Sequence, residues 1–317
     1  MRLQVAIALL CSALFASSTC PAQSYRPPRL EDGRVDLQGV WNLSNLTPLE
    51  RLSGFNSLVI TREQADAIEE RIAGMRRNQP TGAADDGFDE QRAMEPIGGE
   101  WRSSVIEQPA DGRIPGNAAF KTQQADARER AFSKGDGPEE RPPPERCLSS
   151  PASTPPMLSV PTLNLHQIVQ TPGAVMILSE WNHEARVVRM NGSHNAATMT
   201  SWLGDSIGRW ESDTLVVETR HFAATSSVRY TAGIYFVVSP ATVVTERFSR
   251  TAADELTYEF SVTDPTWYTS AWQGRNRLRH SSEMIFEFAC HEGNYAVRFV
   301  LQGMRAREGD GGPEPNR

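Results

Sequence analysis

From Leu163 onward the chain alternates with a period of two, and this constrains its fold more than any other feature. Leu163, Leu165, Gln167 and Val169 alternate against Asn164, His166, Ile168 and Gln170, and a turn follows at Thr171-Pro-Gly173. Val175, Ile177 and Ser179 then alternate against Met176, Leu178 and Glu180. Asn191-Gly192 is a strong short-hairpin dipeptide, because both residues tolerate positive φ. Further strands are predicted at Thr214–Thr219, Ile234–Val238, Thr242–Phe248 and Leu256–Val262. Met284, Phe286, Phe288 and Cys290 share one face of a penultimate strand, and Tyr295, Val297, Phe299 and Leu301 one face of a last strand. Helical periodicity is absent after residue 160. About ten strands with turn signals roughly every 8–12 residues predict an antiparallel barrel or sandwich, lipocalin-like in shape.

The first half reads differently. Residues 1–22 have the pattern of an export signal: Arg2, an apolar stretch from Val5 to Phe15, then small residues ending in Cys20-Pro-Ala22. The stretch is too short to span a bilayer, and Ser18 and Thr19 suit a lipidated Cys20 poorly. A periplasmic or secreted location is expected, without stable membrane insertion. Residues 23–160 are expected to supply a first strand near Val40-Trp41, irregular helices and Pro/Gly-rich wrapping segments. Thr61 and Gln64 form a capping box that opens a helix over 62–76, and a second helix is expected over 116–134. Residues 77–98 are polar and Gly-rich and read as loop, while Trp101–Ile106 reads as a short strand. The β domain is expected over 161–305 and a frayed tail over 306–317.

Net charge is −7, which disfavours nucleic acid as a partner because phosphate binding needs basic patches. Four cysteines occur, and two of them lie in the signal. The remaining pair, Cys147 and Cys290, reads as one disulfide in an exported chain, or else as two separate buried thiols.

Four clusters bear residues able to do chemistry. If the Thr171-Pro-Gly173 hairpin pairs Gln170 with Ala174, then His166 faces Leu178 and Asn164 faces Glu180, placing Asn164, His166, Gln170 and Glu180 on one sheet face. A His beside a Glu there is an acid–base candidate; the same pattern also describes a solvent face. The second cluster is Glu180-Trp181-Asn-His-Glu184 with Arg186 just beyond. The third is the run Trp202-Leu-Gly-Asp-Ser-Ile-Gly-Arg-Trp210, in which Asp205 is a candidate acid, base or ligand and Arg209 an anion contact, or the two form a salt bridge across a turn. The fourth is Cys290-His-Glu-Gly-Asn-Tyr295, expected at a hairpin tip, where His291 is the candidate. Trp181, Trp202 and Trp210 are candidate aromatic walls, with Asn164 a polar contact. No His-x-x-x-His or Cys-x-x-Cys spacing and no dinucleotide or phosphate loop is present, so neither a metal nor an organic cofactor is expected. A serine hydrolase is not expected either, since the strand–turn–helix context of a nucleophile elbow is missing.

Several of these motifs occur together in a known set. Asp36-Leu-Gln-Gly-Val-Trp41, Asp111-Gly-Arg-Ile-Pro115, Arg146-Cys147, Gly204-Asp-Ser with Gly208-Arg-Trp-Glu-Ser-Asp-Thr-Leu-Val-Val217, Glu246-Arg-Phe248, Asp264-Pro265 and Cys290-His-Glu-Gly-Asn-Tyr295 resemble a family of secreted bacterial proteins without established activity. The chain departs from the family pattern at Ser212, where a Gly is expected, and at Ala271, where a Pro is expected. The resemblance covers nearly the whole chain beyond residue 22 and implies no catalytic residues.

Together these features predict an exported protein that acts on, or carries, one small and mostly apolar molecule held in a β-barrel. The active version is a cofactor-independent acid–base enzyme, a lyase, isomerase or hydrolase. The alternatives are a non-catalytic carrier and an envelope interaction protein.

Overall fold

The computed structural model describes residues 25–77, 93–133, 137–141, 143–223, 228–231 and 234–309. Residues 1–24, which hold the expected export signal and Cys20, most of the polar stretch 77–98 and the end of the tail lie outside the described residues.

The strands in chain order are β1 (Gly39–Asn42), β2 (Ile106–Gln108), β3 (Leu165–Gln170), β4 (Ala174–Ser179), β5 (Glu184–Met190), β6 (Asp205–Glu211), β7 (Thr214–Arg220), β8 (Val228–Thr231), β9 (Ile234–Val237), β10 (Val243–Ala252), β11 (Glu255–Thr263) and β12 (Trp272–Ser281). The helices are α1 (Arg62–Arg77), α2 (Ala118–Ser133) and α3 (Ala296–Gly309). Nine strands close a barrel in the order β1-β3-β4-β5-β6-β7-β10-β11-β12, sealed because β1 pairs with β3 on one side and β12 on the other. β2 adds to the edge of β12, and β8–β9 form a separate ribbon. Closure leaves the barrel without an unpaired edge. Its seal is Trp41, which stands between His166 and His280, is fully buried, and donates its indole N–H to the Leu37 carbonyl at 2.9 Å.

The alternating residues point inward as expected. Val175 and Ile177, Leu215 and Val217, Val244 and Phe248, and Leu256, Tyr258, Phe260 and Val262 are all buried in one core with Trp272 and Leu278. The rings of Phe248, Tyr258, Phe260 and Trp272 pack edge-on or tilted along the lumen, with centroids 5.0–5.9 Å apart. Burying side chains of this size contributes on the order of 2–3 kcal/mol each.

The structure corrects several expectations. The barrel is mixed, because β5 and β6 run parallel: Asn191-Gly192 opens a crossover over 191–204, not a hairpin. A parallel pair needs such a long connection. The β3–β4 register is one residue from the expected one, with His166 opposite Ser179 and Gln170 opposite Val175. No strand forms over 284–290, where Met284 and Phe286 are exposed. The expected last strand is α3. Apolar residues at every second position also stand four apart, so Tyr295/Phe299 and Val297/Leu301 satisfy a helix equally well, and only Leu301 of the four is buried. The Asn294 side chain accepts the Ala296 N–H at 3.1 Å and starts that helix. The barrel's closing partner is instead β12, whose alternation hides because Arg275, Arg277 and Arg279 interleave with Gly274, Asn276, Leu278 and His280.

Around the barrel, Thr61 and Gln64 cap α1 reciprocally, at 3.0 and 3.3 Å, and Ala65 and Ile68 bury its inner face. The Asn117 side chain accepts the Phe120 N–H at 2.9 Å and opens α2. The only disulfide among the described residues joins Cys147 to Cys290. It ties the Pro-rich segment 148–160 to the C-terminal part.

Candidate functional site

Segment 148–160 is buried almost throughout and closes the barrel end at which β3 begins and β4 ends. Ser153 hydrogen-bonds Glu184 at the start of β5, and the Ser159 hydroxyl accepts the Asn45 N–H at 2.9 Å. Asn164 grips the segment's last residue both ways, accepting the Val160 N–H at 2.9 Å and donating to the Val160 carbonyl at 2.8 Å. Met157 and Leu158 enter the barrel core. The Met157 N–H donates to the Tyr258 hydroxyl at 2.8 Å.

That contact leads to a buried polar group inside the barrel. Tyr258 on β11 donates to Glu246 Oε1 on β10 at 2.8 Å. Glu246 also receives both terminal nitrogens of Arg186 on β5, Nη2 at 2.9 Å from Oε1 and Nη1 close against Oε2. The two charged side chains are 0 % and 3 % exposed. His166 on β3 stands nearby with Nδ1 3.0 Å from the Ser179 hydroxyl on β4. Among the described residues His166 Nε2, Arg186 Nε and Asn276 Nδ2 are buried and have no hydrogen-bond partner. Asn276 pairs with Tyr258 across β11–β12.

Burial sets the protonation of this group. It pulls His166 down to about 3, helped by the Arg186 charge, so the imidazole is neutral at neutral pH. Burial pushes the Tyr258 phenol well above its ordinary range, and the Glu246 charge adds to this, so Tyr258 keeps its proton. Arg186 loses hydration, but the charge and hydrogen bonds of Glu246 outweigh the loss and raise it. The set is therefore a neutral imidazole and a neutral phenol beside a hydrogen-bonded ion pair.

The residues singled out from sequence are not brought together. His166 meets Ser179, while the Glu180 carboxylate turns to the Leu165 N–H at 3.4 Å as the chain leaves β4. Asp205 opens β6 and faces the outer wall, where it binds Arg189, His194 and Asn195; Arg209 is exposed and pairs with Glu211 at 2.6 Å, so no Asp205–Arg209 bridge forms. His291 is exposed in the turn before α3, not at a hairpin tip. Trp181 packs at a tilt against Phe288 with centroids 5.4 Å apart, and Trp202 is half-buried in the crossover. Trp210 lies inside the barrel at the opposite end, where it walls a recess of about 200 Å³ with Met190, Pro172, Asn191, Asp32 and Arg34. A larger recess of about 310 Å³ lies outside the barrel, lined in part by Arg51, Asn56, Asp111 and Arg113.

Gly204-Asp-Ser-Ile-Gly208 matches the spacing of a hydrolase nucleophile motif, but the geometry does not. Ser206 lies within β6, shares a hydrogen bond with Thr219 at 2.8 Å, and no helix follows the strand. Its glycines serve packing instead. A Cβ on Gly204, where φ is +72°, would lie 2.6 Å from Thr219, and one on Gly208 would lie 2.7 Å from Val188.

Sequence reasoning passed over Glu246, Tyr258 and Arg186 as a group. The signal was available: Glu246 interrupts the inward series Val244, Phe248, and a charge on an apolar face is seldom accidental. No family model, curated protein or solved structure matches the chain, so the site stands on its own geometry.

Proposed function

We propose that this chain is an exported small-molecule-binding barrel whose ligand is received at the end closed by segment 148–160, against Arg186, Glu246, Tyr258 and His166. One observation carries the reading. Polar groups from β3, β5, β10, β11 and β12 converge in an otherwise apolar core and keep unused donor or acceptor capacity at His166 Nε2, Arg186 Nε and Asn276 Nδ2. Burying an ion pair is seldom the most stable way to fill a core, so such a group points to recognition. The Met157 backbone N–H on Tyr258 is the contact a ligand would replace as Met157 and Leu158 move aside. The aromatic lining suits an apolar body, and the donors suit one polar head group. The Cys147–Cys290 bridge and the leader-like residues 1–22 support export.

The acid–base version of this function rests on a different pair from the one expected. Tyr258 holds a proton against Glu246 at 2.8 Å, which makes a donor and an acceptor adjacent in a desolvated site.

The test is a thermal-shift screen of the full chain against fatty and aromatic carboxylic acids and their neutral amides or alcohols. A hit should raise the wild-type midpoint and lose its effect in Tyr258→Phe. A shift that is unchanged in Tyr258→Phe and in His166→Phe would place the ligand elsewhere.

A further inference from the structure

On the outer wall of the barrel, where the crossover 191–204 lies against β6 and β7, three potential metal ligands meet without any metal-binding spacing in the sequence. We propose that His194, Asp205 and His221 form a divalent-cation site suited to zinc, which clamps the crossover to the barrel. This is independent of the ligand proposed for the barrel interior.

The geometry carries the proposal. One ring nitrogen from each histidine and a carboxylate oxygen of Asp205 all lie within 4.8 Å of one another. His194 Nδ1 is 2.9 Å from Asp205 Oδ2. Zinc bonds of about 2.0–2.2 Å in a tetrahedron hold neighbouring donors about 3.3 Å apart, so the His194–Asp205 pair needs to spread little to admit the ion, with His221 already within 4.8 Å of both. Mixed imidazole and carboxylate donors suit zinc better than magnesium or calcium, which prefer oxygen alone.

The surroundings fit as well. His194 Nε2 lies 3.1 Å from Glu218 Oε1. With Nδ1 on the metal, Nε2 carries the proton and donates it to Glu218, the carboxylate–histidine arrangement that orients metal-bound imidazoles. Asp205 Oδ1 is held by Arg189 Nη1 at 2.7 Å and Asn195 Nδ2 at 2.9 Å, leaving Oδ2 as the ligand oxygen. Oδ2 also accepts the Asn195 backbone N–H at 2.9 Å, which a metal-bound carboxylate oxygen can keep, and Arg189 Nη2, at 3.1 Å from Oδ2, is the contact that would lengthen.

His221 supplies a separate observation. It follows β7 in the left-handed region, with φ at 58°, a conformation that costs a non-glycine residue energy. That backbone sets its ring edge-on to His194, with centroids 5.5 Å apart. Its Nδ1 is enclosed and has no hydrogen-bond partner among the described residues. A strained histidine with an enclosed, unpartnered ring nitrogen, set beside a His–Asp pair, is accounted for by a metal. Three protein ligands leave one position for water or an outside ligand.

The experiment uses tag-free full chain stripped with a chelator and titrated with zinc chloride by calorimetry, with thermal midpoints measured in parallel. The expected result is one zinc per chain with micromolar or tighter affinity and a midpoint raised by several degrees. Magnesium and calcium at the same concentration should have no such effect. His221→Ala should lose at least tenfold in zinc affinity, while His291→Ala, at an exposed turn, should bind as wild type. If His221→Ala is poorly folded, His221→Asn is measured instead. No stoichiometric zinc binding, or binding unchanged by the His221 variants, overturns the proposal.

Discussion

Arg186 and Glu246, on β5 and β10, meet inside the barrel as a two-armed ion pair that is almost wholly shielded from water. Removing one partner leaves the other charged, buried and unsatisfied. Glu246→Gln should therefore cost about 3–5 kcal/mol of stability. Adding Arg186→Met to that variant should cost less than the sum of the two single changes, because neither charge is then stranded. Urea unfolding of the three variants measures the coupling, and simple additivity would show that the pair does not act as a unit.

His166 gives the stability a defined pH dependence. Its native value of about 3 lies below the ordinary 6.5, so the native state binds fewer protons than the unfolded chain between these values. Stability tied to this group is complete above about pH 6.5 and falls as pH drops towards 3, by up to about 1.4 kcal/mol per unit. Unfolding free energies at pH 7.5, 6 and 5 should fall more steeply for wild type than for His166→Gln. Equal slopes would mean that the imidazole is not buried in its neutral form.

Ser212 occupies the first turn position between β6 and β7 with φ at 53°. A two-residue hairpin of this kind prefers glycine there. Ser212→Gly should stabilise the protein by about 0.5–1 kcal/mol, a rise of a few degrees in the thermal midpoint. A lowered midpoint would mean that the serine side chain does more than tolerate the turn.

The Cys147–Cys290 bridge closes a loop with a sequence separation of 143. The chain-entropy estimate for a loop of this length is up to about 5 kcal/mol. Protein prepared without reductant should resist alkylation until reduced, and reduction should lower its thermal midpoint sharply. Two thiols that alkylate without reductant would refute the bridge.

Much of the barrel was legible because its strands alternate cleanly, as Leu256, Tyr258, Phe260 and Val262 do. β12 was not, since its inward positions include Gly274 and Asn276, the exposed His280 continues that face, and arginines alternate with them, so no apolar stripe marks it. α3 was read as a strand because spacings of two and four coincide over Tyr295–Leu301. The site suffered most from register. Moving the β3–β4 pairing by one residue gives His166 the partner Ser179 and takes Glu180 out of the facing position, and nothing in a Thr-Pro-Gly turn fixes that choice. The Arg186–Glu246 contact, unlike the Glu246–Tyr258 contact within the β10–β11 hairpin, joins strands far apart in sequence and depends on barrel closure, which local patterns do not encode.

The central claim is that the buried polar group inside the barrel receives a ligand. The most direct measurement is a fluorescence titration of the full native chain with 1-anilinonaphthalene-8-sulfonate, an apolar body with one anionic head. It is run on wild type, His166→Phe and the outer-wall control Arg209→Ala, each first shown to unfold cooperatively. The account predicts saturable binding at one site per chain, abolished or weakened at least tenfold in His166→Phe and unchanged in Arg209→Ala. Binding that is absent, does not saturate, or is equal in all three proteins would contradict it.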